Sequence, residues 1–566
     1  MTYVTCGWKI PLSEKSGWSG QTVNRGEFPC AAHEEASPYH RRSGFLKDGR
    51  GGGIAAPGVR VPAAEVGRHD ASGTSVPRAG NGKLMTAGRA ALTFPSGAPF
   101  SVLSMSRAAV INVVGLTARH LSAETTPHIL GWLKHKQIAP IQPVLPAVTT
   151  TMQTTYLTGR RVSDHGIVGN GWYNKEQAEV QMWKQSNHLV KGEKFWDVLK
   201  REHPGLTVAK LFWWYNMYST ADYSITPRPM YPADGRKVFD IYTSPAGIRD
   251  SIKKDLGDFP FPAFWGPMAG VDSSKWIAAS AKWIEEKYWP NLSLVYLPHL
   301  DYNLQRLGPD DPAIAKDLRE IDDIVGGLIT FYKNRAIRVI LLSEYGITAV
   351  DQPVHINRVL REKGWITVRE ELGREILDCG ASKAFAVADH QVAHVYVNDP
   401  SIHHEVRAAL EEVPGIQSVI DGVWRASIGL DHDRAGNIIC VADARSWFTY
   451  YYWLDDAVAP DFARCVDIHR KPGYDPVELF LDPALKHPKL AVATRLAKKK
   501  LGMRYLMDVI PLDATLVKGS HGRVPEDRLD WPILAGELPH LSDREYIPAT
   551  QIYHEILLAL RKQIAE

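Results

Sequence analysis

Three consecutive threonines, Thr149 to Thr151, follow a proline-bounded turn in "PVLPAVTTTMQTTYLTG" and open a helix-like run that Gly159 closes. Threonine suits such a place simply because its hydroxyl caps helices and tolerates turns. Other residues with chemical capacity are pairs of aspartate and histidine: Asp389–His390 with His394, Asp431–His432–Asp433, and Asp467 with His469. Imidazole and carboxylate together suit zinc or manganese, although an Asp–His step in a loop is more often a turn with a satisfied ring. In "HRKPGYDP" the run His469, Arg470 and Lys471 also offers positive groups that could hold a phosphate.

These residues need a frame. From Ala109 onward, short apolar runs alternate with helix-length amphipathic segments, the pattern of an α/β fold with a largely parallel sheet. The clearest predicted strands are 109–114, 206–214, 292–298, 337–343 and 393–398. Between the third and fourth, Leu318, Ile321, Val325 and Leu328 share one helical face, which completes a β-α-β unit. Ligands of such sheets lie beyond the carboxyl ends of the strands. That draws attention to Asn112 to Leu116, Thr149, His299, Asp301, Glu344 and Tyr345.

Composition narrows the function classes. With 66 basic and 63 acidic side chains and only a short "AKKK" at 497–500, the chain offers no nucleic-acid surface. Five scattered cysteines without a CxxC pair exclude a disulfide framework and a thiolate zinc site, and imply a reducing compartment. No apolar run reaches the length of a membrane span and no signal-peptide pattern opens the chain, so a cytoplasmic protein is expected. Residues 1–104 are rich in Gly, Arg, Ser, Pro and Ala without periodicity, which predicts either a disordered tail or an over-extended start. The ordered domain is expected over 105–535, with an aromatic-rich cap or insert at 172–290 and a C-terminal helix in 536–566.

The motifs together resemble the nucleotide pyrophosphatase/phosphodiesterase family of the alkaline phosphatase superfamily. "PVLPAVTTTMQTTYLTG" with "SDHGIVGNGWY" is similar to its nucleophile segment, "LPHLDYNLQRLGP" to its Asp-x-x-x-His-x-x-Gly-Pro element, "LLSEYGIT" to its Ser-Asp-His-Gly-Met element, and "KGSHGR" to its final His-Gly. The resemblance spans roughly 108–535 and implies an alkaline-phosphatase-like fold: a mostly parallel central sheet, flanking helices and an inserted cap. It implies that Thr149 is the nucleophile, activated by a metal or a base beside unpaired N–H groups of a helix start. It also implies that Asn170 donates its amide to a phosphoryl oxygen.

Departures from the family pattern fall on its metal ligands. Asp301 and His521 stand where the family has an aspartate and its last histidine; Gln305 replaces a histidine, Glu344 an aspartate and Tyr345 the histidine beside it. Val114 takes the place of a first-strand aspartate, and Asn112 lies on the same face of that strand. Candidate metal-site residues are therefore Asp301, Glu344, His521, Gln305 and Asn112, holding a divalent metal, zinc by resemblance, with fewer than two ions an open alternative. Tyr345, His469 and Trp214 are candidate substrate contacts. The function implied is hydrolysis of a small-molecule phosphodiester or pyrophosphate. The alternatives are a catalytically degraded relative that binds a phosphorylated metabolite or partner without metal, and a phosphoryl-group transferase.

Overall fold

The computed structural model describes residues 106–561 apart from 235 and 543, so the expectation for residues 1–104 lies outside the described residues. The central element is a nine-stranded sheet. Its strands are β1 (Ala108–Val113), β2 (Gln137–Gln142), β3 (Val208–Leu211), β4 (Tyr223–Pro227), β5 (Ile241–Ser244), β6 (Leu292–Leu297) and β7 (Arg338–Leu342). A smaller sheet then intervenes, built from β8 (Ala384–Asp389), β9 (Val392–Val397), β10 (Ile416–Asp421) and β11 (Ile438–Ala442), before β12 (Ile533–Gly536) and β13 (Ile547–Pro548) return to the large one.

The large sheet runs β13-β2-β12-β7-β1-β6-β3-β4-β5, parallel throughout its middle and antiparallel where β12 joins its two neighbours and where β5 joins β4. β1 sits near the centre and every one of its residues is buried, which its sequence AAVINV suits: helices cover both faces of a parallel sheet, so its strands carry apolar residues without alternation. The helices that matter below are α1 (Thr149–Thr158), α2 (Val271–Tyr288), α3 (His299–Leu307) and α4 (Ile314–Lys333). On α4 the predicted face of Leu318, Ile321, Val325 and Leu328 is buried in the main core. Each such side chain contributes about 1.5–3 kcal/mol through burial.

Three sequence expectations need correction. Residues 172–290 are not an insert laid over the sheet, because they supply β3, β4 and β5 of the sheet itself. Their aromatics build core accordingly: Trp196, Trp213, Trp276 and Trp283 pack in the main cluster, while Trp289 is exposed. The inserted region is instead the lobe around the smaller sheet, which has its own hydrophobic core centred on Phe385, Tyr396, Trp447 and Trp453. The apolar run at 393–398 becomes β9 of that antiparallel sheet, since continuous apolar runs serve any buried strand whatever its direction. Finally, the chain beyond 535 completes the large sheet through β13 before its helix forms over Ile552–Arg561. Among the described residues, no helix is long and apolar enough to cross a membrane.

Candidate active site

Register gathers the site. β1 pairs in parallel with β6 and β7, with Asn112 opposite Tyr296 on one side and Leu342 on the other. The chain leaving β6 turns at Pro298 into α3, which carries Asp301, and the chain leaving β7 carries Glu344 and Tyr345. α1 begins at Thr149 after the extended Val148.

The threonines of α1 separate into two kinds. Thr150 and Thr151 donate to the carbonyls of Gly169 (2.7 Å) and Ile167 (3.1 Å), and Thr155 and Thr158 donate to carbonyls one turn back. Those hydroxyls pin the helix. Thr155 also lies 3.0 Å from His165 Nε2, whereas Thr149 turns its hydroxyl to the Tyr345 phenol at 3.1 Å, and Tyr345 in turn donates to Asp301 Oδ1 at 3.1 Å. A phenol has one proton to give. Spent on Asp301, it leaves the Tyr345 oxygen to accept from Thr149. α1 ends at Gly159 in the left-handed conformation (φ 64°), where any Cβ would meet the Tyr553 side chain at 2.9 Å.

Asp301 belongs to a closed ring of contacts. Its Oδ2 accepts from Gln305 Nε2 (2.7 Å), and Gln305 Oε1 accepts from the Tyr474 hydroxyl (3.1 Å). Tyr474 stacks on His390 (centroids 3.7 Å apart), His390 packs on His521 (3.6 Å), and His521 stacks on Tyr345 (3.6 Å). His390 reaches this place from the turn between β8 and β9, where it holds a left-handed φ of 61°. His521 Nδ1–H donates to the Ala147 carbonyl at 2.8 Å, which leaves Nε2 as a bare acceptor 4.0 Å from Asp301 Oδ1. Burial drives His521 down to about 3, so the ring is neutral at pH 7, and it drives Asp301 up to about 7.

Glu344 anchors a second group. Its Oε1 accepts from Asn112 Nδ2 and Gln153 Nε2, and Gln153 Oε1 accepts from the Trp214 backbone at 2.7 Å. Burial pushes Glu344 up to about 8 against hydrogen bonding from Gln153 and Asn112. Asn170 sits beside the helix start: its Oδ1 accepts from Thr150 N–H, while its backbone N–H and side-chain amide both donate to Asp389, at 2.7 and 3.0 Å. The amide expected to face a phosphoryl oxygen is thus already engaged. Burial raises Asp389 to about 7.

A pair of zinc ions does not fit this donor set. Among the described residues, no three His, Cys, Asp or Glu ligand atoms converge here within 4.8 Å. Val114 is buried in the apolar core, and Tyr345 and Gln305 spend their polar atoms on Thr149, Asp301 and Tyr474. What remains are four buried atoms without partners, Asn112 Oδ1, Glu344 Oε2, His390 Nδ1 and His521 Nε2, which form a polar lining in place of a two-ion cage.

Other candidates stand apart. His469 contacts the Met182 carbonyl, and Trp214 packs at a tilt against Trp183 (centroids 4.9 Å apart), so both serve the walls. Lys471 of the "HRKPGYDP" run is buried between Asp475 and Glu478, 2.7 Å from each, and is spent on that ion pair. Both nitrogens of His394 are used on Val168 and Gly436, and Asp431 and Asp433 are exposed. Of the aspartate–histidine pairs only Asp389–His390 reaches the site. Sequence reasoning assigns Tyr474 and Gln153 no role although both lie in quoted stretches, "HRKPGYDP" and "PVLPAVTTTMQTTYLTG", because their site partners, Gln305 and Glu344, are far away in the chain.

A family model for type I phosphodiesterase/nucleotide pyrophosphatase matches residues 108–475, from β1 through the Asp301, Glu344 and Asp389 segments to Asp475. The chain belongs to that family. An uncharacterized pyrophosphatase/phosphodiesterase of Schizosaccharomyces pombe is 26% identical over 262 residues, covering 44% of this chain and 46% of the yeast protein. The chain therefore matches less than half the length of that curated relative. Among solved structures, phosphonoacetate hydrolase from Sinorhizobium meliloti in complex with phosphonoformate shares the fold with a TM-score of 0.52 at 14% identity, over 80% of this chain and 96% of that one. Murine ectonucleotide pyrophosphatase/phosphodiesterase 5 is 15% identical with a TM-score of 0.48, covering 81% and 96%.

Proposed function

We propose that this member of the phosphodiesterase family hydrolyses a small-molecule phosphoester through Thr149. The observation that carries the reading is the Thr149–Tyr345–Asp301 chain, two successive hydrogen bonds of 3.1 Å that lead from a hydroxyl at a helix start to a carboxylate. As Thr149 Oγ1 forms its bond to phosphorus, its proton moves to the Tyr345 oxygen while Tyr345 releases its own to Asp301 Oδ1. The leaving alcohol or phosphate departs with the electrons of the broken P–O bond, and water then cleaves the phosphothreonine. The N–H groups at the start of α1 face the developing charge. Thr149 is only 4% exposed and lies under the lobe bearing His390 and Tyr474 at the carboxyl ends of the central strands.

The test is turnover of an aryl phosphodiester by Thr149→Ala, Thr150→Ala and Thr151→Ala, with a melting curve for each. Only the first should abolish turnover while leaving the melt near wild type. Equal rates in all three variants reject Thr149 as nucleophile. A second reading, a non-catalytic binder of a phosphorylated metabolite, is favoured by one observation: both Asp301 oxygens and the Asn170 amide are satisfied within the protein. Absence of turnover by the wild-type chain, together with binding of a phosphorylated ligand, selects it.

A further inference from the structure

On the opposite side of α3 from Asp301, three side chains converge. His299 opens α3, and Asp317 and Glu320 lie one turn apart on the facing α4, where a spacing of three puts both carboxylates on one side. One ligand atom from each lies within 4.8 Å of the other two, the one such group of His, Cys, Asp or Glu among the described residues. His299 Nε2 is 3.6 Å from Asp317 Oδ1 and 3.5 Å from Glu320 Oε2. Ligands bound at 2.0–2.2 Å around a tetrahedral ion stand about 3.4 Å apart. The two separations have that size.

His299 supplies an independent indication. Its side chain is 2% exposed and neither ring nitrogen makes a hydrogen bond, an unusual condition for a buried imidazole. Asp317 is fixed from behind, its Oδ2 accepting from Asn303 Nδ2 at 2.6 Å, as carboxylate ligands generally are. The Glu320 side chain keeps 29% of its surface exposed, which gives an ion a way in and a water a fourth position.

We propose that His299, Asp317 and Glu320 form a divalent-cation site of zinc or manganese type that staples α3 to α4, separate from the Thr149 centre. One imidazole with two carboxylates suits these ions, and their two negative charges balance a dication. Because His299 begins the helix that carries Asp301, the ion would hold the start of α3 and so the position of Asp301. The site stands independently of the hydrolytic reading.

The experiment uses the full chain, stripped with chelator and dialysed against zinc chloride or manganese chloride, with bound metal measured by mass spectrometry and melting curves recorded. One equivalent of one of these ions and a raised melting temperature are expected. Glu320→Gln and His299→Gln should each weaken retention at least tenfold, and Asp301→Asn should leave it unchanged. Should His299→Gln fail to fold by circular dichroism, the partly exposed Glu320→Gln carries the comparison. The proposal is overturned if wild type retains neither ion, if Glu320→Gln binds like wild type, or if Asp301→Asn alone abolishes binding.

Discussion

The phenol of Tyr345 lies flat on the imidazole of His521, centroids 3.6 Å apart and planes within 5°. This contact joins the residue that holds the Thr149 hydroxyl to the residue that holds the Ala147 carbonyl, so one stack fixes both ends of the turn entering α1. A phenol in place of a ligating imidazole keeps the flat surface and exchanges a lone pair for a proton donor.

That exchange makes Tyr345→Phe informative. The substitution keeps the stack on His521 and removes the oxygen between Thr149 and Asp301, so turnover of an aryl phosphodiester per folded molecule should fall by about 10²–10⁴-fold, while the buried Asp301 Oδ1 left without its donor lowers stability by about 1–3 kcal/mol. Turnover at the wild-type rate would show that Thr149 loses its proton by another route.

Stability should decline from about pH 6.5 to about pH 8 and level off above that. Glu344, at about 8 in the folded chain, stays protonated where its unfolded counterpart is ionised, so the native state binds the extra proton and stability falls as pH rises through the folded value. His521 works in the other direction, since an imidazole held at about 3 makes stability rise with pH only up to its ordinary value near 6.5. Between pH 6.5 and 8.5 the carboxyls therefore act without that opposition. Denaturant melts across this range should show a decline that Glu344→Gln makes shallower, by about 1.4 kcal/mol per pH unit below pH 7, a difference that halves at about pH 8 and vanishes above it. An equal slope in wild type and variant would mean that Glu344 is already ionised at neutral pH.

Asp389→Ala should destabilise the fold by about 1–3 kcal/mol for each donor it orphans, because the Asn170 backbone and side-chain N–H groups lose their acceptor in a buried place. Asp389→Asn keeps one acceptor oxygen and should cost less. Chemical denaturation of both variants measures the difference; identical midpoints would indicate that water replaces the carboxylate.

Restoring imidazoles tests the view of the donor set. Gln305→His with Tyr345→His frees Asp301 from two hydrogen bonds and sets two nitrogen ligands near His521 Nε2, so the double variant should retain one more equivalent of zinc than wild type. Unchanged zinc content by mass spectrometry would show that these positions no longer face a common point.

Much of this was legible in the residues. The strands of the sheet centre, the helix of Leu318 to Leu328 and the approach of Thr149, Asn112, Asp301, Glu344 and His521 follow from hydrophobic period and motif order. Other features depend on contacts between distant segments, which period does not record. Residues 172–290 look like an aromatic insert because, apart from the run at 206–214 that becomes β3, their strands are four or five residues long without a clear pattern, yet neighbours in space make them sheet. Tyr474 enters the site only because the lobe of β8 to β11 folds over it, and Asn170 is occupied only because Asp389 arrives from that lobe.

The hydrogen bond from His521 to Ala147 spans 374 residues of chain. During synthesis at roughly 5–20 residues per second, the turn before Thr149 leaves the ribosome about 20–75 s before its clamp. For that interval α1 and the central strands can form, but the Tyr345–His521 stack cannot. The nascent protein thus fixes the turn before Thr149 late in folding, and a chain ended before His521 would lack this clamp together with strands β12 and β13 of the large sheet.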